Sequence, residues 1–287
     1  MLRGFFRIIF DAIRRRNSPR VLIVGTSAPS WTEALAPEAK VWRALGARIT
    51  TRLPRAGQLY RTVALPLLER DIAKVPVGTW VLRPNNAAFR ILGDKSAFAG
   101  YAAQRGLSDY VPETYGSPSE VRYPAVLKRT SFSAGEGIAA VHSRAELDAL
   151  LAAPMWLNHP VVLQEHVQAD VEYVVHLVRT KRGIVWSCAY AYPLSRQDDV
   201  RGPVEEVAIA PAVRAADDLA VIERFLAPLD FEGPANADFR RRPDGRMAIF
   251  EINPRLGGSL MRPEHVADLT GALGAILANA QPFRRPD

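Results

Sequence analysis

The sequence predicts an α/β (α+β) protein with a small parallel sheet at its front. Three observations carry this reading. Short apolar runs alternate with helical segments from Val21 to Leu82, the pattern of strands joined by crossover helices. Further on, paired apolar runs are separated by turn residues, with Asp244-Gly245 as the strongest hairpin signal. Between these regions lie segments with recognisable helix starts and stops.

Taken in order, residues 2–16 read as a helix. Leu2, Phe6, Ile9, Phe10 and Ile13 form one apolar stripe, and Arg3, Arg7 and Arg14 lie off it. Such a basic amphipathic helix suits an anionic membrane surface, the protein's own body, or a second subunit in a homodimer. Arg7 and Asp11 interrupt the apolar run, so it is a poor secretory signal. Asn17-Ser-Pro-Arg20 breaks the helix.

Val21-Leu-Ile-Val-Gly25 reads as a buried parallel strand. A helix over Thr32 to Leu45, closed by Gly46, leads to a second strand, Ala47 to Thr51. A weaker helix over Gln58 to Ala73 then leads to a third strand, Gly78 to Leu82. Gly25 stands without the Gly-x-Gly-x-x-Gly spacing, which argues against a dinucleotide site.

Asp94 is a helix N-cap, followed by Lys95 and a helix to about Arg105, with Gly106 as the stop. Tyr123 to Lys128 is a strand ending in lysine, followed at once by Arg129-Thr-Ser131-Phe-Ser133-Ala-Gly135-Glu-Gly137. Glycines let backbone N–H groups approach a phosphate and hydroxyls add donors, while Lys128 adds a point charge. The spacing is not that of a P-loop, and an ordinary turn between two strands is the competing reading. Ser143 and Glu146 form a capping box. Val161 to Val167 and Val171 to Thr180 read as strands, and Lys181-Arg-Gly183 turns into another running to Tyr192.

The hairpin of Asn236 to Arg255 concentrates the chemistry. Glu251 and Asn253 are two residues apart and share one strand face. The turn folds Asp238 back towards them. Two carboxylates and an amide beside Arg255 make a hard-oxygen set of the kind Mg²⁺ prefers, with phosphate completing the shell. Solvated polar residues at a strand end are the alternative.

Composition limits the classes. The chain has 287 residues, 48% hydrophobic and 23% charged, enough for about two domains. Cys188 is the single cysteine, which excludes an internal disulfide and a cysteine metal cluster. His142, His166 and His176 lack ligand spacing, which speaks against zinc. The net charge of +7 is concentrated at the front, where Arg3, Arg7, Arg14, Arg15, Arg16 and Arg20 face Asp11 alone. The body is therefore no basic platform, and no nucleic-acid partner is expected. No run of about 18 apolar residues occurs. A cytoplasmic location is expected, peripheral at the membrane if the first helix binds there.

From about Asp94 to Gly271 the order of these features resembles the ATP-grasp superfamily, in particular its carboxylate–amine ligases and carbamoyl-phosphate-synthase-like members. The resemblance implies an ATP-grasp fold: two α+β subdomains gripping ATP, preceded by a small Rossmann-like parallel α/β domain. The segments would be 1–17 for the N-terminal helix, 18–92 for the leading domain, 93–160 for the subdomain with the phosphate loop, and 161–287 for the subdomain with the adenine hinge and metal site. Lys95 and Lys128 resemble the family's two phosphate lysines. Ser131, Ser133, Gly135 and Gly137 resemble its triphosphate loop. In Gln164-Glu165-His166-Val167, Glu165 would lie near the adenine amino group and Val167 would offer backbone. Glu172 matches the ribose carboxylate. Asp238, Glu251 and Asn253, at separations of 13 and 2, match the Mg²⁺ triad, and Arg255 the arginine that binds the reacting phosphate or acyl group. Asp268-Leu-Thr-Gly271 is also family-like, whereas Arg129 stands where the family often has proline.

The implied cofactors are ATP and Mg²⁺, two ions, for which Mn²⁺ can substitute. The implied activity is ADP-forming ligation of a carboxylate to an amine or similar nucleophile through an acyl-phosphate, with small-molecule or peptide substrates. A kinase or carboxylase using the same ATP site, and an ATP-binding regulatory protein without turnover, are the other readings. Arg83, Asn85, Asn86 and the stretch from Tyr190 to Arg201, with Arg196 and Arg201, are candidates for the substrate side, against a reading as surface and packing residues.

Overall fold

The computed structural model describes residues 18–25, 29–130, 137–195, 208–213 and 215–284. The N-terminal helix, Ser131, Ser133, Gly135, Arg196 and Arg201 lie outside the described residues.

The first sheet is built from β1 (Arg20–Val24), β2 (Arg48–Thr50), β3 (Thr62–Pro66) and β4 (Trp80–Val81). β1 pairs in parallel with β2 and β3, and β3 with β4. The apolar run of β1 buries Val21, Leu22 and Val24, as expected for a strand covered on both faces. Two expectations fail here. The helix expected over Thr32 to Leu45 is two helices, Pro29–Ala34 and Lys40–Leu45, because Pro37 lies between them and proline cannot continue a helical hydrogen-bond ladder. The helix expected over Gln58 to Ala73 is one short helix, Ala56–Leu59, then β3, then the 3-10 turn Glu69–Lys74. Burial in a parallel sheet overrides the weak helical pattern, since Thr62, Ala64 and Leu65 are fully or nearly fully buried.

The second sheet holds β5 (Thr114–Tyr115), β6 (Ala125–Arg129), β7 (Ile138–Val141) and β8 (Val161–Glu165), in the antiparallel order β5-β8-β6-β7. Ala125, Leu127 and Leu163 pack on Leu147 of the helix Arg144–Ala152. That helix starts at Ser143, whose side chain accepts the Glu146 N–H at 3.2 Å, as its capping box requires. Alternation then puts Val126 and Lys128 on the opposite face.

The third sheet holds β9 (Val171–Thr180), β10 (Gly183–Pro193), β11 (Ala210–Pro211), β12 (Gly233–Arg241) and β13 (Met247–Asn253), antiparallel in the order β11-β10-β9-β12-β13. One face, with Val175, Leu177, Ala235, Ala237, Phe239, Ile249 and Ile252, forms a core with Phe98, Tyr101 and Phe225. Those come from the helices Lys95–Gln104 and Ala216–Leu226. On the reverse face Val174, Val178, Tyr190 and Tyr192 join a second core with Trp42, Leu260 and Leu273. This ties the first domain to the helix Val266–Asn279. The chain then returns to the first sheet, where β14 (Gln281–Pro282) pairs antiparallel with β4. Residues near the end of the 161–287 segment therefore complete the sheet of the leading domain.

Candidate active site

The reverse face of the third sheet carries a row of polar side chains. On β12 the core takes Ala235, Ala237 and Phe239, so alternation sends Asn236, Asp238 and Arg240 to the other face. Asp238 lies opposite Glu251 and Asn236 opposite Asn253. The next pair is Phe239 with Ile249, which leaves Phe250 as the extra residue of a β-bulge. The bulge changes the parity of β13. Met247 and Ile249 point into the core before it, and Glu251 and Asn253 point away after it, with Phe250 on the same side as the carboxylates. The turn has the geometry its residues dictate: Gly245 adopts φ 83° and donates to the Arg242 carbonyl at 2.8 Å.

The three metal candidates therefore converge. Asn253 Nδ2 donates to Glu251 Oε1 at 2.9 Å, to Asn236 Oδ1 at 3.2 Å and to Asp238 Oδ2 at 3.4 Å. Asp238 and Asn236 are buried. An amide N–H thus stands between two carboxylates, where a cation would also satisfy both. Among the described residues no group of three His, Cys, Asp or Glu side chains converges on a metal position. With the Asn253 amide turned so that its Oδ1, here 3.5 Å from Arg255 Nη2, faces the carboxylates, the donor set is two carboxylates and an amide oxygen, which fits a hard cation that keeps water and phosphate ligands.

Both lysines reach this cluster from other elements. Asp94 caps its helix by accepting the Ala97 N–H at 2.8 Å. This fixes Lys95 in the first turn, where its Nζ lies 3.7 Å from Glu251 Oε2. Lys128, from β6, places its Nζ 5.1 Å from the centre of the Phe250 ring. Burial pushes the Lys128 ammonium down to about 8, against a partial upward pull from Glu251. Burial alone would raise the Glu251 carboxyl. Lys95, the Asn253 hydrogen bond, Lys128 and Arg255 outweigh it and hold the group below the usual carboxylate range. Arg255 lies 2.8 Å from Glu69 Oε1 of the leading domain through Nε, and its Nη1 donates to the Leu256 carbonyl at 3.0 Å.

The other expected residues are placed as follows. Glu172, on β9 opposite Arg240, is buried in an ion pair with it at 3.2 Å. Arg240 Nη1 also donates to the Val167 carbonyl at 3.0 Å, fastening the 165–167 hinge to the large sheet. The Glu165 side chain is paired with Arg242 and accepts the Glu113 N–H at 3.1 Å. Glu165 has the strand parity of Leu163, opposite to that of Gln164, which pairs with Val126. Its carboxylate is thus on the far side of the second sheet from Lys128. Gly137, at φ 63°, begins the described return from the loop. Asn85 caps the helix Asn86–Leu92 and donates to the Leu229 carbonyl at 2.7 Å, and Arg83 lies 4.9 Å over the Phe283 ring. Both act in packing the leading segment.

An ATP-grasp domain model matches residues 108–260, more than half of the chain. The chain belongs to the ATP-grasp family. Lys95 lies before the matched segment. The carbamoyl phosphate synthase large chain of Pseudomonas aeruginosa is 24% identical over 274 residues, covering 85% of this chain and 25% of that protein. The chain thus spans about a quarter of the length of this curated relative. Among solved structures, N5-carboxyaminoimidazole synthase from Aspergillus clavatus, in complex with ADP and 5-aminoimidazole ribonucleotide, is 16% identical. It matches with a TM-score of 0.61 over 90% of this chain and 77% of that one. D-alanine–D-alanine ligase from Bacillus anthracis is 14% identical, with a TM-score of 0.60 over 91% and 96%. L-amino acid ligase from Bacillus licheniformis is 14% identical, with a TM-score of 0.56 over 94% and 78%. These likenesses show that the fold is the ATP-grasp fold. Among the described residues no helix is long and apolar enough to cross a membrane.

Sequence reasoning missed Phe250, Arg240, Glu69 and His176. Phe250 shares a face with Glu251 only because of the bulge, and Glu69 arrives from another domain. Arg240 was legible in part, two residues from Asp238 on the same strand face.

Proposed function

We propose that this ATP-grasp protein is an ADP-forming ligase that activates a carboxylate as its acyl-phosphate for attack by an amine or similar nucleophile. One observation carries the reading. Two lysines from separate elements, Lys95 and Lys128, converge on a carboxylate pair, Asp238 buried and Glu251 half-buried, with an amide and an arginine beside it. That arrangement presents cations to a polyphosphate and anions to the metal that accompanies it.

Asp238, Glu251 and Asn253 would hold Mg²⁺, which when bound supplies Lewis-acid neutralisation of phosphate oxygens. Lys95 and Lys128 bind phosphate oxygens and withdraw charge from the terminal phosphoryl group. Arg255 positions the transferred phosphoryl or the attacking carboxylate, with Glu69 fixing the direction of its guanidinium. Glu172 serves the ribose, with Arg240 orienting its carboxylate. The backbone at 165–167 serves the adenine edge, because the Glu165 side chain is committed to Arg242. The likeness to amino-acid and aminoimidazole ligases supports a small carboxylate or an amine as substrate. No side-chain nucleophile is used.

The test is an ADP-release screen over amino acids, peptides and dicarboxylates with Mg²⁺. ADP release that depends on a carboxylate and an amine together, and is lost in Glu251→Gln, supports the reading. Release of AMP and pyrophosphate refutes it.

A further inference from the structure

The segment after Arg255 rests on a buried polar scaffold that none of the roles above uses. His176 lies on β9 opposite Asn236, in the same row as the metal candidates, and is 1% exposed. Its Nε2 is 2.7 Å from Ser259 Oγ. A Cβ at Gly257 would lie 2.2 Å from His176 Cε1 and 3.2 Å from Asn236 Cγ. The backbone of the segment is therefore pressed directly onto these two side chains. Asn236 Nδ2 donates to the Arg255 carbonyl at 3.1 Å, and the Arg255 N–H donates to the Asn253 carbonyl at 2.8 Å.

The far end is held as firmly. His265 Nδ1 lies 2.7 Å from the Ser259 carbonyl, which makes that nitrogen the donor. The His265 ring stacks on Tyr190 at 4.0 Å, and Tyr190 donates its hydroxyl to Asp268 at 2.6 Å. Burial and this hydrogen bond raise the Tyr190 hydroxyl well above its ordinary value, so it stays a donor.

We propose that His176 is a positioning residue for phosphoryl transfer. By holding Gly257 and Ser259 it supports the backbone that leaves Arg255, two residues away. This inference rests on the role of Arg255 proposed above. The geometric reason is that the segment has one short tether at Arg255 and a second at Ser259. Losing the His176 contact leaves the Ser259 carbonyl held by His265 but removes the hydroxyl contact and the imidazole beneath Gly257, and a displacement of an ångström is enough to misalign a transition-state contact. Ground-state nucleotide binding, carried by Lys95 and Lys128 on other elements and by Glu172 four residues along β9 in its own ion pair with Arg240, does not depend on it.

The experiment measures Mg-ADP affinity by calorimetry, with and without aluminium fluoride as a mimic of the transferring phosphoryl group. In the wild type fluoride tightens Mg-ADP. His176→Leu keeps Mg-ADP affinity within about threefold and loses about tenfold or more of the tightening, the scale of one charge-assisted contact. His176→Gln, which retains a hydrogen-bonding group, restores most of it. Arg255→Ala loses the tightening too, and His176→Leu adds nothing in that background, since both act through one contact. Undiminished tightening in His176→Leu overturns the proposal, as does a loss of plain Mg-ADP affinity equal to the loss of tightening. Absence of Mg-ADP binding in the wild type refutes the nucleotide site itself. Wild-type binding without tightening refutes the role of Arg255, and this inference with it.

Discussion

Replacing Lys128 by methionine is expected to stabilise the free protein while damaging nucleotide binding. Lys128 is 8% exposed. Its ammonium is held at about 8 against an ordinary 10.5. The difference corresponds to about 3 kcal/mol of preference for the neutral form in the folded state. The sign follows from linkage. Below pH 8 both states carry the proton, and the folded state bears the full cost of the buried charge. Between about 8 and 10.5 the unfolded chain binds the proton and the folded chain does not, so wild-type stability rises with pH. Methionine fills the same volume without charge. Lys128→Met therefore melts higher than wild type at pH 7, by about 5 °C for a chain of this size, and the gap closes towards pH 10.5. Its Mg-ADP affinity falls by about 10- to 100-fold, the scale of a lost charge-assisted contact. In the wild type, that affinity declines as the pH rises through about 8. Differential scanning calorimetry across pH, paired with titration calorimetry of Mg-ADP, measures both. A variant that melts lower than wild type at pH 7, or binds Mg-ADP as tightly, refutes the reasoning.

Asp238→Asn and Glu251→Gln should each reduce ADP release by at least about 100-fold at fixed Mg²⁺, the scale of losing one preorganised electrostatic group; full activity in a steady-state assay would show that the metal is held elsewhere. Arg240→Ala leaves Glu172 buried without its partner and should cost about 3–5 kcal/mol in urea unfolding, whereas the double change Arg240→Met with Glu172→Leu should recover most of that loss. Arg242→Ala removes the anchor of Glu165 and the contact with the Val111 carbonyl; it should lower stability by about 1–3 kcal/mol and change nucleotide affinity less than Lys128→Met does, which calorimetry checks. Gly257→Ala should match His176→Leu in fluoride tightening, because its Cβ would displace the segment from the imidazole.

Much of the third sheet's hairpin was legible in the sequence. Asp244-Gly245 specified its turn, and the period of two placed Glu251 and Asn253 on one face. The capped helix starts at Asp94 and Ser143 were equally readable, because a cap is a local hydrogen bond between residues three apart. The leading domain was read less well. Its third strand, Thr62–Pro66, is stabilised by neighbours in a parallel sheet that local propensity does not report.

By itself, then, the sequence determined the elements whose causes are local, and the types of chemistry on offer: two lysines, two carboxylates, an amide and an arginine in a family-like order. Tertiary structure alone decided how these meet. It brought Lys95 to Glu251 and Glu69 to Arg255 across long separations in sequence. It turned the Glu165 carboxylate away to Arg242, and it placed Phe250 at the site through a one-residue bulge. It also set His176 under Gly257, a contact that exists only because glycine has no side chain at that point of closest approach. Burial and long-range pairing energies depend on which surfaces face each other, and the fold sets that.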